Sequence, residues 1–223
     1  VSFEIASITA NGSVTVDFRN TATCNNAGYK TYADLNASAA WGAQLETTAN
    51  ALTQTRNAET MLTACGSIST DGFSSACRYW LRGPLVTQVI IEDRSTARAQ
   101  AFGYEIVASV WAVATTDTFK SLHPIFVVTV SSPSTGGPFY HVETILENTW
   151  MDRLQRQAYT FVIKTGNALT TVYTRATAWS HLARARWSIR KWSGTAPGAI
   201  FIDYNLNYMI HTKAVAHLDP TKT

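Results

Sequence analysis

Residues 179–192 read WSHLARARWSIRKW and hold three tryptophans, four basic side chains and one histidine in fourteen positions. If this segment is extended, Arg184, Arg186, Ser188 and Arg190 line one face and Trp187 and Ile189 the other. Tryptophan rings stack on sugars or bases, and guanidinium groups pair with carboxylates or phosphates. One expectation is therefore a ligand-binding surface built from Trp179, Arg184, Arg186, Trp187 and Trp192. The competing reading puts Trp187 and Ile189 in the core and leaves the arginines as a solvated face.

His141 and Glu143 stand two residues apart, which places both on one face of a strand. With Asp203 or Glu147 they would bind a divalent metal or perform acid–base work, as a lyase or hydrolase requires. The alternative is a polar sheet face satisfied by its own neighbours. The sequence lacks a His-x-His or Cys-x-x-Cys companion, a Gly-x-Ser-x-Gly elbow, a phosphate-binding glycine loop and a zinc-protease histidine pair. No metal and no cofactor is expected. On one strand Glu143 and Glu147 would stand about 13 Å apart. That is wider than the ~5–9.5 Å of the two standard glycosidase geometries.

Composition bounds the readings further. With 46% hydrophobic and 11% aromatic residues the chain can bury a substantial core, which argues against disorder. Charged residues make up only 15%, against about 25% in ordinary globular proteins. Thr, Ser, Asn and Ala take their place, as in secreted bacterial β-proteins, and a secreted or cell-surface location is expected. The net charge of +3 is small for a nucleic-acid binder. Arg175, Arg184, Arg186, Arg190 and Lys191 nevertheless gather late in the chain, which favours a polysaccharide, including an acidic one, as partner. No run of 18 apolar residues exists, so no membrane span is expected. The chain opens at Val1 without a signal-peptide pattern, as expected of a processed product or part of a longer chain.

Three cysteines allow one bridge. A Cys65–Cys77 bond would staple a Gly/Ser/Asp-rich loop at a gain of about 3 kcal/mol and leave Cys24 over. Other pairings, and three reduced buried thiols, stay open.

The elements that must position these residues read as β. Residues 123–148, HPIFVVTVSSPSTGGPFYHVETILEN, are two alternating apolar runs around a turn-rich connection, the pattern of paired strands. The first run is apolar on both faces and belongs in the middle of a sheet. Further strands are expected over residues 3–8 and 13–19, around an Asn-Gly turn. Others follow at 78–81, 85–92, 102–114, 158–165 and 169–174, the last two joined by Gly166-Asn167. Trp41, Ala43 and Leu45 alternate as in a strand. Residues 51–64 fit helix, strand or loop, and 205–215 fit a short helix. The expected architecture is one mostly β, antiparallel sandwich domain over residues 1–223. Within it residues 20–76 form an irregular excursion rich in Ala, Thr and Asn.

Three segments together, GPLVTQVIIED (83–93), HPIFVVTV (123–130) and FYHVETILENT (139–149), resemble the β-supersandwich domains of secreted bacterial carbohydrate-active proteins. Such domains occur in polysaccharide lyases and galactose-mutarotase-like proteins. The resemblance covers about a third of the chain and implies a fold and a carbohydrate setting, with no catalytic residue carried over. Three functions compete: a polysaccharide-binding domain, a polysaccharide lyase or hydrolase, and a self-assembling surface, fibre or capsid subunit. A scaffold alone does not choose among them.

Overall fold

A computed structural model describes residues 28–63, 77–92, 104–106, 114–116, 120–132, 137–149 and 156–197. In chain order the elements are α1 (Tyr32–Ala37), β1 (Ala43–Ala49), β2 (Leu52–Asn57), α2 (Ala58–Thr63), β3 (Cys77–Leu81) and β4 (Val86–Glu92). They continue with β5 (Tyr104–Ile106), β6 (Ala114–Thr116), β7 (Leu122–Ser131), β8 (Phe139–Asn148), β9 (Gln157–Thr165), β10 (Thr170–His181) and β11 (Arg186–Ser193). The fold is mostly β. One sheet has the order β10-β9-β1-β2, a second β11-β8-β7-β4-β3, and β5 and β6 pair by themselves. Every paired register is antiparallel.

Alternation builds the interior. Leu45 from β1, Tyr159, Phe161 and Ile163 from β9, Phe126, Val128 and Val130 from β7, and Tyr140, Val142 and Leu146 from β8 form one buried cluster. Residues of the two larger sheets thus meet face to face, which makes a sandwich. β7, the run apolar on both faces, lies in the middle of the five-stranded sheet, as its composition requires.

The stretch expected to be irregular is ordered in its described part, residues 28–63. β1 lies inside the four-stranded sheet, between β9 and β2. Small residues suffice there because Ala43, Leu45 and Thr47 are the inward positions and every second residue faces out. The described part of residues 51–64 divides into β2 and α2, with the Asn57 side chain accepting from the Thr60 N–H at the helix start (3.0 Å). At α1, Thr31 and Asp34 cap each other reciprocally, at 3.1 and 2.8 Å. Both helices have six residues and are held by buried Tyr32, Leu35, Ala58 and Leu62 rather than by their own length.

The strand expected over residues 102–114 is instead two short strands, since Tyr104 pairs with Thr116 and Ile106 with Ala114. This pairing is antiparallel, and the sequence over residues 102–114 holds no pair of Gly, Pro, Asn or Asp residues to divide the expected strand. β10 runs beyond the expected residue 174 to His181 by means of bulges. Cys77 is buried and disulfide-bonded, while Cys24 and Cys65 lie outside the described residues. So do the strands expected at 3–8 and 13–19, the helix at 205–215, and Asp203. No helix among the described residues is long and apolar enough to cross a membrane.

Candidate functional site

The basic-aromatic segment is the end of β10, a four-residue connection, and β11. That connection crosses from one sheet to the other, so the five residues expected to share a surface divide among three places.

Trp187 faces inward. Its ring stacks on Phe161 (centroids 4.4 Å apart, 15° between planes), and its Nε1–H donates to the Tyr159 hydroxyl at 2.9 Å. Trp179 also lies on the inward side, opposite Tyr159, and carries the Arg175 guanidinium over its ring at 4.6 Å. Arg184 sits in the connection at φ +62° and is exposed; its backbone N–H donates to the Asn148 carbonyl at 2.8 Å. Arg186 and Trp192 stand on the outer face of the five-stranded sheet.

That outer face also holds His141 and Glu143, and register sets its rows. Trp192 lies opposite His141, His141 opposite Thr129, Thr129 opposite Gln88, and Gln88 opposite Leu81. This row crosses all five strands and spans about 19 Å at ~4.8 Å per strand. Its ends are the most open apolar groups of the sheet: Trp192 is 41% exposed, Leu81 40% and Trp80 73%. Trp80 occupies the β-bulge between Tyr79 and Leu81. Between the ends, Gln88 Nε2 donates to Thr129 Oγ1 at 2.8 Å. The His141 ring packs edge-on to Trp192, with centroids 5.0 Å apart.

The next row begins with Arg190 and Glu143, joined at 3.1 Å. Further along, Arg186 meets Glu147 at 3.7 Å, and Glu147 lies 3.6 Å from His123. His123 is 3.9 Å from Glu92, whose other oxygen is held by Arg78. Basic and acidic side chains thus alternate obliquely across the sheet from Arg186 to Arg78. Each arginine on this face has a glutamate, so the face presents polar pairs rather than spare positive charge. Burial, then the Arg190 charge, hold the His141 imidazole below its ordinary pKa of 6.5, with Glu143 opposing them.

Of the residues in the acid–base reading, the Glu143 carboxylate is engaged by Arg190 and the Glu147 carboxylate by Arg186, and Asp203 lies outside the described residues. Among the described residues no group of three or more His, Cys, Asp or Glu side chains is placed to hold a metal ion.

Two latches position β11. At its end, the Ser193 hydroxyl donates to the Gly42 carbonyl at 2.7 Å and accepts from the N–H groups of Gly42 and Gly166 at 2.9 and 3.0 Å. Gly194 follows at φ +81°, where a Cβ would stand 2.4 Å from the Ala40 carbonyl oxygen; only glycine fits. At its start, the Asn148 backbone N–H donates to the Ala185 carbonyl (2.9 Å) and the Asn148 Nδ2 to the His181 carbonyl (3.1 Å). His181 is buried there. Its Nε2 must donate to the Ala185 carbonyl (2.9 Å), which leaves Nδ1 to accept from the Tyr159 hydroxyl (2.7 Å). Burial keeps this imidazole neutral, its pKa below the usual value, and raises that of Tyr159.

Sequence reasoning missed Trp80, Leu81 and the Gln88–Thr129 pair. Strict alternation along residues 77–81 would place Tyr79 and Leu81 together, and only the bulge separates them. A comparison with known protein families, curated proteins and solved structures finds no match to this chain.

Proposed function

We propose that this chain is a glycan-binding β-sandwich module that takes a polysaccharide along the row from Trp192 to Trp80. One observation carries the reading: a single transverse row ends on exposed Trp192 and exposed Leu81, with exposed Trp80 beside Leu81 in the chain, and its middle is the polar set His141, Thr129 and Gln88. Amphipathic aromatic rings suit sugar faces, and side-chain donors and acceptors between them suit hydroxyl groups. The arginines favour an uncharged polymer at this row, since Arg190 and Arg186 already face Glu143 and Glu147. The Cys77 disulfide supports a secreted or surface setting, where such bonds persist.

The test is retention on insoluble or immobilised neutral polysaccharides, comparing the native chain with Trp192→Ala and Trp80→Ala. Either substitution should weaken binding by about tenfold or more. Retention equal to the native chain in both folded variants removes the row from consideration.

A second reading, self-assembly, is favoured by β10. This twelve-residue strand, at the edge of its sheet among the described residues, exposes Thr170, Thr171, Thr174, Ala176, Thr177, Ala178 and Ser180, with no exposed charge. Unguarded edges pair with other chains. Light scattering over a concentration series decides it: a constant monomer mass excludes assembly through this edge.

A further inference from the structure

We infer that the edge of the sandwich between β10 and β11 is a binding site for an oxyanion, a carboxylate, sulfate or phosphate group held by Arg175 and Lys191. The two cations lie on the inward sides of the two edge strands. Arg175 stacks on Trp179 at 4.6 Å, and Lys191 Nζ lies 6.0 Å from the centre of the Tyr173 ring. Tyr173 stands two residues before Arg175, on the same face of β10, so the cations flank one short stretch of the edge. Phe161 lies beneath, stacked on Tyr173 (5.6 Å) and on Trp187 (4.4 Å).

Charge separates this edge from the paired arginines and lysine of the two sheets. Arg78, Lys164, Arg186 and Arg190 each have a glutamate partner. No carboxylate among the described residues pairs with Arg175 or Lys191. The Arg175 Nε–H is buried, and no hydrogen-bond acceptor among the described residues reaches it. A ring face attracts the guanidinium charge but accepts nothing from the N–H groups, which lie in the guanidinium plane. The two Nη groups at the guanidinium's end offer paired donors, the geometry that matches two oxygens of an oxyanion. Lys191 supplies a second charge without directional demand.

The site is independent of glycan binding at the Trp192–Trp80 row, because these residues point to the opposite side of the strands. The experiment titrates the folded protein with glucuronate, sulfate and phosphate in turn, at constant ionic strength. It reads tryptophan fluorescence and the arginine Nε–H resonances. Saturable binding of at least one anion is expected, with one Nε–H signal shifting. The affinity should fall about tenfold or more in Arg175→Gln and several-fold in Lys191→Gln. Arg175→Lys, which keeps the charge and most of the stem, should weaken binding too, because the paired donors are gone. Arg186→Gln should bind as the native protein does. A preference among the three anions names the chemical source. The inference is overturned if no anion saturates, or if Arg175→Gln and Arg175→Lys bind as tightly as the native chain.

Discussion

Trp187 and Trp192 belong to one strand five residues apart, and that odd separation sends their rings to opposite faces. Their substitutions should part company. Trp187→Ala removes a ring stacked on Phe161 and a donor to Tyr159, and should cost about 3 kcal/mol in urea denaturation. Trp192→Ala should stay within about 0.5 kcal/mol of the native stability and act on binding alone. Alternation in the sequence separated Trp187 and Ile189 from Arg186, Ser188 and Arg190. Which side was inside was not legible, because it depends on Phe161 and Tyr159, which come from another sheet. His181 was equally silent, since its partners Tyr159 and Ala185 meet it only in the fold. Its folded-state pKa lies below the ordinary value of 6.5, so between the two the unfolded chain binds more protons. Stability is therefore complete above about pH 6.5 and declines as pH falls below it. His141, lowered for the same first reason, adds in the same direction. The urea midpoint should drop between pH 7 and pH 5, and His181→Gln, whose amide keeps one donor and one acceptor, should flatten that slope. An unchanged slope in this variant would assign the acid sensitivity to other groups.

At the scale of elements, β11 matters because it carries Trp192 and Arg190 at a sheet edge, with β8 as its ladder neighbour among the described residues. The Ser193 latch ties it to the ends of β1 and β9. Ser193→Ala leaves the Gly42 N–H in the interior without its acceptor, while the Gly42 carbonyl keeps the Gly166 N–H, and should cost about 1–3 kcal/mol. Weakened glycan retention should accompany the loss, since Trp192 is the adjacent residue. Retention intact at reduced stability would show that the ring is positioned by the β8 ladder alone. Elements rich in β-branched residues, β4, β7, β8 and β9, were legible to within a few residues. Their inward side chains alternate strictly and need no partner to be recognised. The bulges were not. In β10 three residues stand opposite one between Arg175 and Trp179, which brings a distant arginine onto a tryptophan ring. In β3 a bulge turns Trp80 out to solvent beside Leu81. A bulge is a property of two strands together, and no residue type in either stretch announces it. β1 was legible at its start, where Trp41, Ala43 and Leu45 alternate as in a strand; its continuation to Ala49 and its place within the sheet are fixed by β9 and β2.

For the molecule as a whole, the two sheets form a scaffold in which the arginines beside the Trp192–Trp80 row are paired, Arg190 with Glu143 and Arg186 with Glu147. Binding along the Trp192–Trp80 row should therefore be nearly indifferent to salt, because apolar stacking and hydroxyl contacts are not screened. Anion binding at Arg175 and Lys191 should weaken as salt rises. The two surfaces can thus be told apart in one preparation. The most direct measurement is affinity electrophoresis of the native chain and of the Trp80→Ala/Trp192→Ala double variant through gels containing neutral polysaccharides, at low and high salt. Glycan binding through this row requires that at least one polymer retard the native chain equally at both salt concentrations, and that the folded double variant migrate as it does in an empty gel. Free migration of the native chain in every polymer, or equal retardation of the double variant, would contradict it.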